Sequence, residues 1–172
     1  LMTDGQLKKL AAVSPSIDET HTGSRNWGKA RLKVVKEQRK IADQRKDFHH
    51  KLSRAIADNC TAFICEDLAV KNMMKNRHLA KAIASVGWSQ FLTMVKYKME
   101  RAGKYFRKVS RWYPSSQTCG CCGYKNADVK DLAVRKWVCP KCGTLHDRDI
   151  NAQQNIFRMG MRLLQAEGIK II

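Results

Sequence analysis

Two cysteine pairs with the same spacing constrain this chain more than any other feature. "CGCCG" places Cys119 and Cys122 three positions apart, "CPKCG" does the same for Cys139 and Cys142, and sixteen residues separate the pairs. Each pair lets two thiolates converge on one ion, and the glycine after each pair frees the backbone to turn beneath it. The pattern predicts a zinc ribbon in which four sulfurs hold a structural Zn²⁺ tetrahedrally. A redox site would need only one such pair.

The charge of the chain indicates the class of its partner. Thirty-three Lys and Arg residues against fifteen Asp and Glu residues give a formal net charge of +18. This excess favours a polyanionic partner, and nucleic acid fits better than an anionic membrane surface because no strongly amphipathic lipid-facing helix is evident. No apolar run approaches the roughly 20 residues that span a bilayer. An odd number of cysteines, seven, favours reduced thiols and a cytoplasmic location over a disulfide framework.

The longest helical pattern covers residues 25–59. Its predicted buried stripe repeats every seven residues, at Val34, Ile41, Phe48 and Ala55. Two further side chains, Leu52 and Ile56, widen this stripe. Eleven Lys or Arg residues and three acids lie between residues 25 and 54. Such a face is either only solvated or in contact with phosphates, and the global charge favours phosphates. The candidate nucleic-acid-binding residues here are Lys33, Lys36 and Lys40.

Shorter patterns predict the other elements. Residues 1–10 suggest a hairpin, residues 77–102 a second helix that stops at Gly103, and residues 150–165 a closing amphipathic helix. "KYFRKVSRWYP" suggests a strand in which basic and aromatic residues alternate. Either nucleic-acid contact or packing at a sheet edge explains this alternation, and we take Arg107 and Arg111 as candidate nucleic-acid ligands.

Pairs of carboxylates occur at the end of a predicted strand and at the start of a predicted helix. "TAFICEDL" predicts a short buried strand that ends in Glu66 and Asp67, and α/β sheets place active sites at the carboxyl ends of their strands. Acids there can equally be solvated or cap the next helix. Asp147 and Asp149 precede the closing helix, where they either cap it or bind a divalent metal such as Mg²⁺.

Four motifs in order, "ICEDL", "SSQTCGCCG", "RKWVCPKCG" and "HDRDINAQQNI", resemble the C-terminal half of the TnpB family. These are transposon-encoded, RNA-guided DNA nucleases related to the type V CRISPR effectors. The resemblance also covers "SRNWGKARLKV" and "RKDFHHKLS" in the long helix. It implies an α/β fold: a partial RNase H-like (RuvC) domain over residues 1–113, an inserted four-cysteine zinc ribbon over 114–146, and a closing RuvC helix over 147–172. DNA and guide RNA are the implied partners, and a prokaryote or phage the implied source.

The resemblance also assigns a catalytic site. Glu66 matches the family's second acidic motif and Asp149 its third, so both are expected to be catalytic ligands of Mg²⁺ or Mn²⁺. The family usually has alanine where this chain has Gln153. Its first acidic motif, an aspartate, precedes the segment that resembles "LMTDGQLKKL". We therefore expect a partner polypeptide to supply the first strand and its aspartate, and the chain to be inactive alone. The alternative is a non-cleaving nucleic-acid-binding or regulatory product.

Overall fold

A computed structural model describes residues 22–169 together with Lys8 and Ala12. The hairpin predicted over residues 1–10 lies outside this part, apart from Lys8, which is helical. The elements are α1 (Arg25–Asn59), β1 (Ala62–Glu66), α2 (Val70–Met73), α3 (Arg77–Val86), α4 (Trp88–Arg101), β2 (Tyr105–Val109), a 3₁₀ turn (Ala127–Lys130), β3 (Lys136–Val138), β4 (Leu145–Asp147) and α5 (Arg148–Ala166).

The chain forms two compact units. One contains α1 up to residue 58 together with residues 70–95, and the other contains residues 59–69 and the chain from residue 96 onward. The second unit therefore holds both parallel strands, the cysteine-rich segment and α5. None of the helices in the described part of the chain is long and apolar enough to cross a membrane.

The buried face of α1 differs from the predicted stripe. The prediction is right for Ile41 but wrong for Phe48 and Leu52, which are 57% and 39% exposed, and for Ala55, which is also exposed. Residues seven apart differ by only about 20° around a straight helix, so helix geometry alone does not expose Phe48. The buried face moves towards His49 because its ring packs on Phe91, with centroids 5.5 Å apart. The buried positions instead advance by eleven, eight, four and four residues, and they are Ala30, Ile41, His49, Ser53 and Ala57.

The helix predicted over residues 77–102 is broken at Gly87. This residue has φ +62°, in the left-handed region that glycine tolerates best. A Cβ at Gly87 would lie 3.1 Å from Cε1 of His49, so the glycine also permits the close approach of α1. Arg45 of α1 donates to two carbonyl groups near the end of α3, at 3.1 and 3.3 Å, where a cation is favourable.

In the second unit, β1 and β2 pair in parallel, with Ala62 opposite Tyr105 and Glu66 opposite Val109. The strand predicted over "KYFRKVSRWYP" ends at Val109 because the chain then turns: the N–H of Tyr113 donates to the carbonyl of Ser110 at 3.0 Å. The closing helix α5 packs against both strands. The result is an α/β arrangement in which the carboxyl end of β1 carries Glu66.

The cysteine-rich segment between β2 and α5 has a small folded core of its own. β3 and β4 are antiparallel strands of three residues each, and Val129 and Trp137 form a minimal core with two of the cysteines. So small an apolar core rarely supports a fold without a further constraint such as a metal ion. The chain passes directly from β4 into α5, and the N–H of Arg148 donates to the carbonyl of Arg135 at 2.8 Å.

Candidate functional site

The four cysteines of the two pairs converge on one point. Their Sγ atoms all lie within 4.8 Å of one another, and the Sγ atoms of Cys119 and Cys142, like those of Cys122 and Cys139, are 3.6 Å apart. Sulfurs bound tetrahedrally at about 2.3 Å would be about 3.8 Å apart. The cluster therefore has the donor set and the spacing that fit a metal ion such as zinc. Cys121 is exposed and is not a member of the cluster.

The two halves of the cluster have the same local geometry. In the first, the N–H of Gly123 donates to the carbonyl of Cys119 at 2.9 Å; in the second, Gly143 donates to Cys139 at 2.8 Å. Both glycines have positive φ, +76° and +72°. The short spacing of each pair thus builds a tight turn that brings two sulfurs to one side.

Polar groups beside the cluster favour the thiolate of Cys142. Hydrogen bonds from the hydroxyl and the backbone N–H of Thr144 lower the pKa of Cys142 to about 6. Nε2 of His146 lies 3.0 Å from Sγ of Cys119, within reach of an N–H···S hydrogen bond in the tautomer protonated at Nε2. The His146 ring also packs on Trp137, with centroids 4.7 Å apart. The contact of His146 with the cysteine cluster was not predicted from the sequence. The position of His146, between the last cysteine and the two aspartates, could have indicated it.

The two aspartates at the start of α5 have different surroundings. Asp147 is the N-cap: its Oδ1 accepts from the N–H groups of Asp149 and Ile150 at 3.0 and 3.1 Å. Its carboxylate therefore caps the N-terminus of α5. The side chain of Asp149 is 79% exposed, and its contact with a charged group among the described residues is a 3.8 Å ion pair with Arg135. We expected these acids either to cap the helix or to bind a divalent metal. Asp147 caps the helix, whereas the exposed carboxylate of Asp149 is available to a ligand.

Glu66 and Asp149 line the same cleft, of about 640 Å³. Glu66 reaches it from the carboxyl end of β1, and Asp149 from the first turn of α5. Five basic side chains line this cleft with them: Arg111, Lys125, Lys130, Arg135 and Arg148. The cleft thus combines two carboxylates, which are ligands that hard divalent cations prefer, with cations suited to phosphate groups.

The acid next to Glu66 has a different environment. Asp67 accepts hydrogen bonds from Arg111 at 2.5 Å and from Lys108 at 3.1 Å. The guanidinium of Arg111, followed by the ammonium of Lys108, lowers the pKa of the Asp67 carboxyl below its usual value. Asp67 therefore ties β1 to the segment after β2, beside the cleft.

Other basic candidates lie in separate settings. Arg107 forms an ion pair with Glu167 and a 3.3 Å hydrogen bond to the carbonyl of Phe106. In α1 the three candidate lysines are exposed, and none forms an ion pair within the described residues; they are Lys33, Lys36 and Lys40. Nucleic-acid binding by these residues, and by Arg107 and Arg111, stays a prediction.

Two buried asparagines join α5 to the first cysteine turn. The amide nitrogens of Asn151 and Asn155 both donate to the carbonyl of Thr118, at 2.8 and 2.7 Å. The side-chain oxygen of Asn151 accepts from the N–H of Gly120 at 3.0 Å. Asparagine is a weak helix former, and two asparagines four residues apart lie on the same face of a helix. This spacing indicates specific side-chain contacts, which we did not predict from the sequence. They set the position of the helix that carries Asp149, whereas Gln153, where the family usually has alanine, is exposed.

Two family models match this sequence. Residues 88–156 match the model described as Cas12f1-like, TNB domain, and residues 3–77 match the model described as probable transposase. In fold, the chain is similar to a chain of the cryo-EM structure of the Cas12f1-sgRNA-target DNA complex. The TM-score is 0.58 at 19% identity, and the match covers 87% of this chain and 40% of that one.

Several curated proteins are also similar. A putative RNA-guided DNA endonuclease of Streptomyces pristinaespiralis is 42% identical over 154 residues, which are 89% of this chain and 38% of that protein. The putative RNA-guided DNA endonuclease InsQ of Escherichia coli (strain K12) is 29% identical over 172 residues, covering 91% and 42%. The TnpB-like protein L79 of Acanthamoeba polyphaga mimivirus is 24% identical over 168 residues, covering 93% and 31%.

The α/β fold, the four-cysteine cluster and these matches make the chain similar to a class of proteins that contains putative RNA-guided DNA endonucleases and Cas12f1. Within this class the chain resembles the TnpB family, through two family models that match different parts of it and a relative of 42% identity. It spans 38% and 42% of the length of the Streptomyces and Escherichia relatives.

Proposed function

We propose that this chain is the C-terminal RuvC and zinc-ribbon portion of an RNA-guided DNA endonuclease. The observation that carries the proposal is the presence of Glu66 and Asp149 in one basic cleft. Two curated relatives named as putative RNA-guided DNA endonucleases, at 42% and 29% identity, support the same function. DNA is then the substrate, and a guide RNA is the partner that selects it.

Glu66 and Asp149 would hold the catalytic divalent metal, Mg²⁺ or Mn²⁺. Bound there, the metal would supply activation of a water molecule and stabilisation of the leaving oxygen in phosphodiester hydrolysis. The chain's own contribution is positional. Asp147 accepts the hydrogen bonds of the N–H groups at the start of α5, so the carboxylate of Asp149 is not needed as the helix cap. The cations that line the cleft hold the strand by its phosphates.

The four-cysteine cluster would hold zinc in a structural role. With four sulfurs around the ion no coordination position is open for substrate, which is typical of structural zinc. The ribbon's function is then to position α5. The Asn151 and Asn155 hydrogen bonds run from the first cysteine turn to this helix, so the metal cluster and Asp149 belong to one connected framework.

A further strand that carries the first RuvC aspartate would complete the site. In the part of the chain that the structure describes, the parallel sheet has two strands, and parallel sheets are normally larger and covered on both faces. A third carboxylate would also help two divalent cations to lie close together against their mutual repulsion. These considerations support a composite site.

Reconstitution of cleavage tests this proposal. The chain is combined with the N-terminal portion of a relative and its guide RNA, and cutting of target DNA is measured with and without Mg²⁺ or Mn²⁺. Glu66→Ala and Asp149→Ala should each abolish cutting while nucleic-acid binding stays nearly intact. Asp147→Ser is the matched control, because serine also caps helices and should preserve activity.

The outcomes separate the two candidate functions. Equal cutting by Glu66→Ala and the unaltered chain would exclude a RuvC-type site at this cleft. Tight nucleic-acid binding without cleavage, in every complemented complex, would instead favour the non-cleaving regulatory product.

A further inference from the structure

Trp112 has an unusual exposure for its size. Its side chain is 86% exposed, more than any other large hydrophobic residue that the structure describes. A single exposed hydrophobic side chain needs no explanation by itself. Trp112, however, lines the cleft that contains Glu66 and Asp149, and it also lines a neighbouring cleft of about 760 Å³. Trp112 is therefore shared by the two clefts.

The surroundings of Trp112 are cationic and partly apolar. Leu132 lines the same cleft and is 70% exposed. Lys125 and Lys130 line it as well, so apolar surface and positive charge occur together. An exposed aromatic ring among cations is the combination with which proteins hold single-stranded nucleic acid: the ring stacks on a base, and the cations follow the phosphates.

The backbone that carries Trp112 is held from both sides. The N–H of Trp112 donates to Oγ of Ser110 at 3.3 Å, and the N–H of Tyr113 donates to the carbonyl of Ser110 at 3.0 Å. Arg111 is fixed by its 2.5 Å contact with Asp67. The ring is thus presented by an ordered turn, so less conformational entropy is lost when a ligand stacks on it.

We propose that Trp112 stacks on a base of single-stranded DNA that lies in this cleft. The charge balance, five basic against two acidic side chains, favours a polyanion. A base inside a duplex is already stacked on both faces, so only an unpaired strand offers a free face to the ring. The inference rests on the proposed function, because the strand is the one proposed to be cut. It adds the residue that holds the unpaired strand: Trp112, through base stacking without sequence preference.

Binding of two matched strands tests this inference. The probes are a fluorescent oligothymidylate of about twelve nucleotides and a strand of the same length in which abasic sites replace the bases. Affinities are measured for the full chain at one salt concentration and without added Mg²⁺, so the result does not depend on cleavage. Trp112→Ala should weaken binding of oligothymidylate by roughly tenfold, about 1.4 kcal/mol, because one base–aromatic stack is lost. Binding of the abasic strand should stay unchanged.

Two variants serve as controls. Trp112→Phe keeps an aromatic face and should recover most of the affinity. Phe157→Ala removes another aromatic side chain of the same unit, 55% exposed and lining neither cleft, and should have no effect. Equal affinities of Trp112→Ala and the unaltered chain for oligothymidylate would overturn the inference and leave the ring for contact with a polypeptide. An equal loss on the abasic strand would overturn it too, since the ring would then act without bases.

Discussion

Gly160→Ala should destabilise the packing of α5 on β1. A Cβ at Gly160 would lie 2.7 Å from Cδ1 and 2.9 Å from Cγ1 of Ile64, and it would overlap Cγ2. Isoleucine is stiff at χ1, so either the helix or the side chain has to move. Overpacking of this kind costs about 1–3 kcal/mol, and alanine recovers about 1 kcal/mol of helix propensity over glycine. The free energy of unfolding should therefore fall by up to about 2 kcal/mol.

Urea denaturation followed by circular dichroism measures this change. Gly28→Ala is the control, because no atom lies within 4 Å of a Cβ built there; it should be neutral or stabilising by up to about 1 kcal/mol. Adding Ile64→Ala to Gly160→Ala removes all three obstructing carbons, so the two changes together should cost less than the sum of their separate costs. If Gly160→Ala is as stable as Gly28→Ala, or if the two changes are additive, the close approach of α5 to β1 does not depend on this glycine.

The remaining predictions concern the metal and the basic helix. Purified chain should contain one zinc ion per molecule by elemental analysis; Cys139→Ser should lower this content, and Cys121→Ser should not. Unchanged occupancy in Cys139→Ser would contradict the four-sulfur site. Replacing Lys33, Lys36 and Lys40 together with glutamine should reduce the slope of log affinity against log salt by roughly 2–3, since each phosphate contact contributes about 0.7–0.9. A constant slope would mean that these lysines do not contact phosphates.

The features that the sequence determined by itself are local. Two cysteines three positions apart, each pair followed by glycine, were enough to predict the turn that brings the two sulfurs of one pair to the same side, because that turn lies within five residues. The stop of the second helical pattern at Gly103 is confirmed as well: α4 ends at Arg101, and Gly103 has φ +66°. In both cases the deciding interaction is between near neighbours in the chain.

Tertiary packing decided the features that depend on distant partners. A strict heptad pattern in α1 could not show that Phe48 is exposed and His49 buried, because that choice depends on Phe91, whose ring centroid lies 5.5 Å from that of His49. The break at Gly87 was missed for a related reason. Glycine within a helical pattern is tolerated in many helices, and the close approach of His49 shows why the chain turns here.

The candidate site combines both kinds of information. The resemblance to the family pointed to Glu66 and Asp149, which are eighty-three positions apart. The sequence around either residue does not indicate that the two lie close together. The structure brings them into one cleft because α5 packs on β1 through Gly160, and because the asparagines of α5 bind the first cysteine turn. The different roles of Asp147 and Asp149 also come from the structure, since only the backbone geometry at the start of α5 decides which carboxylate accepts the free N–H groups of the helix.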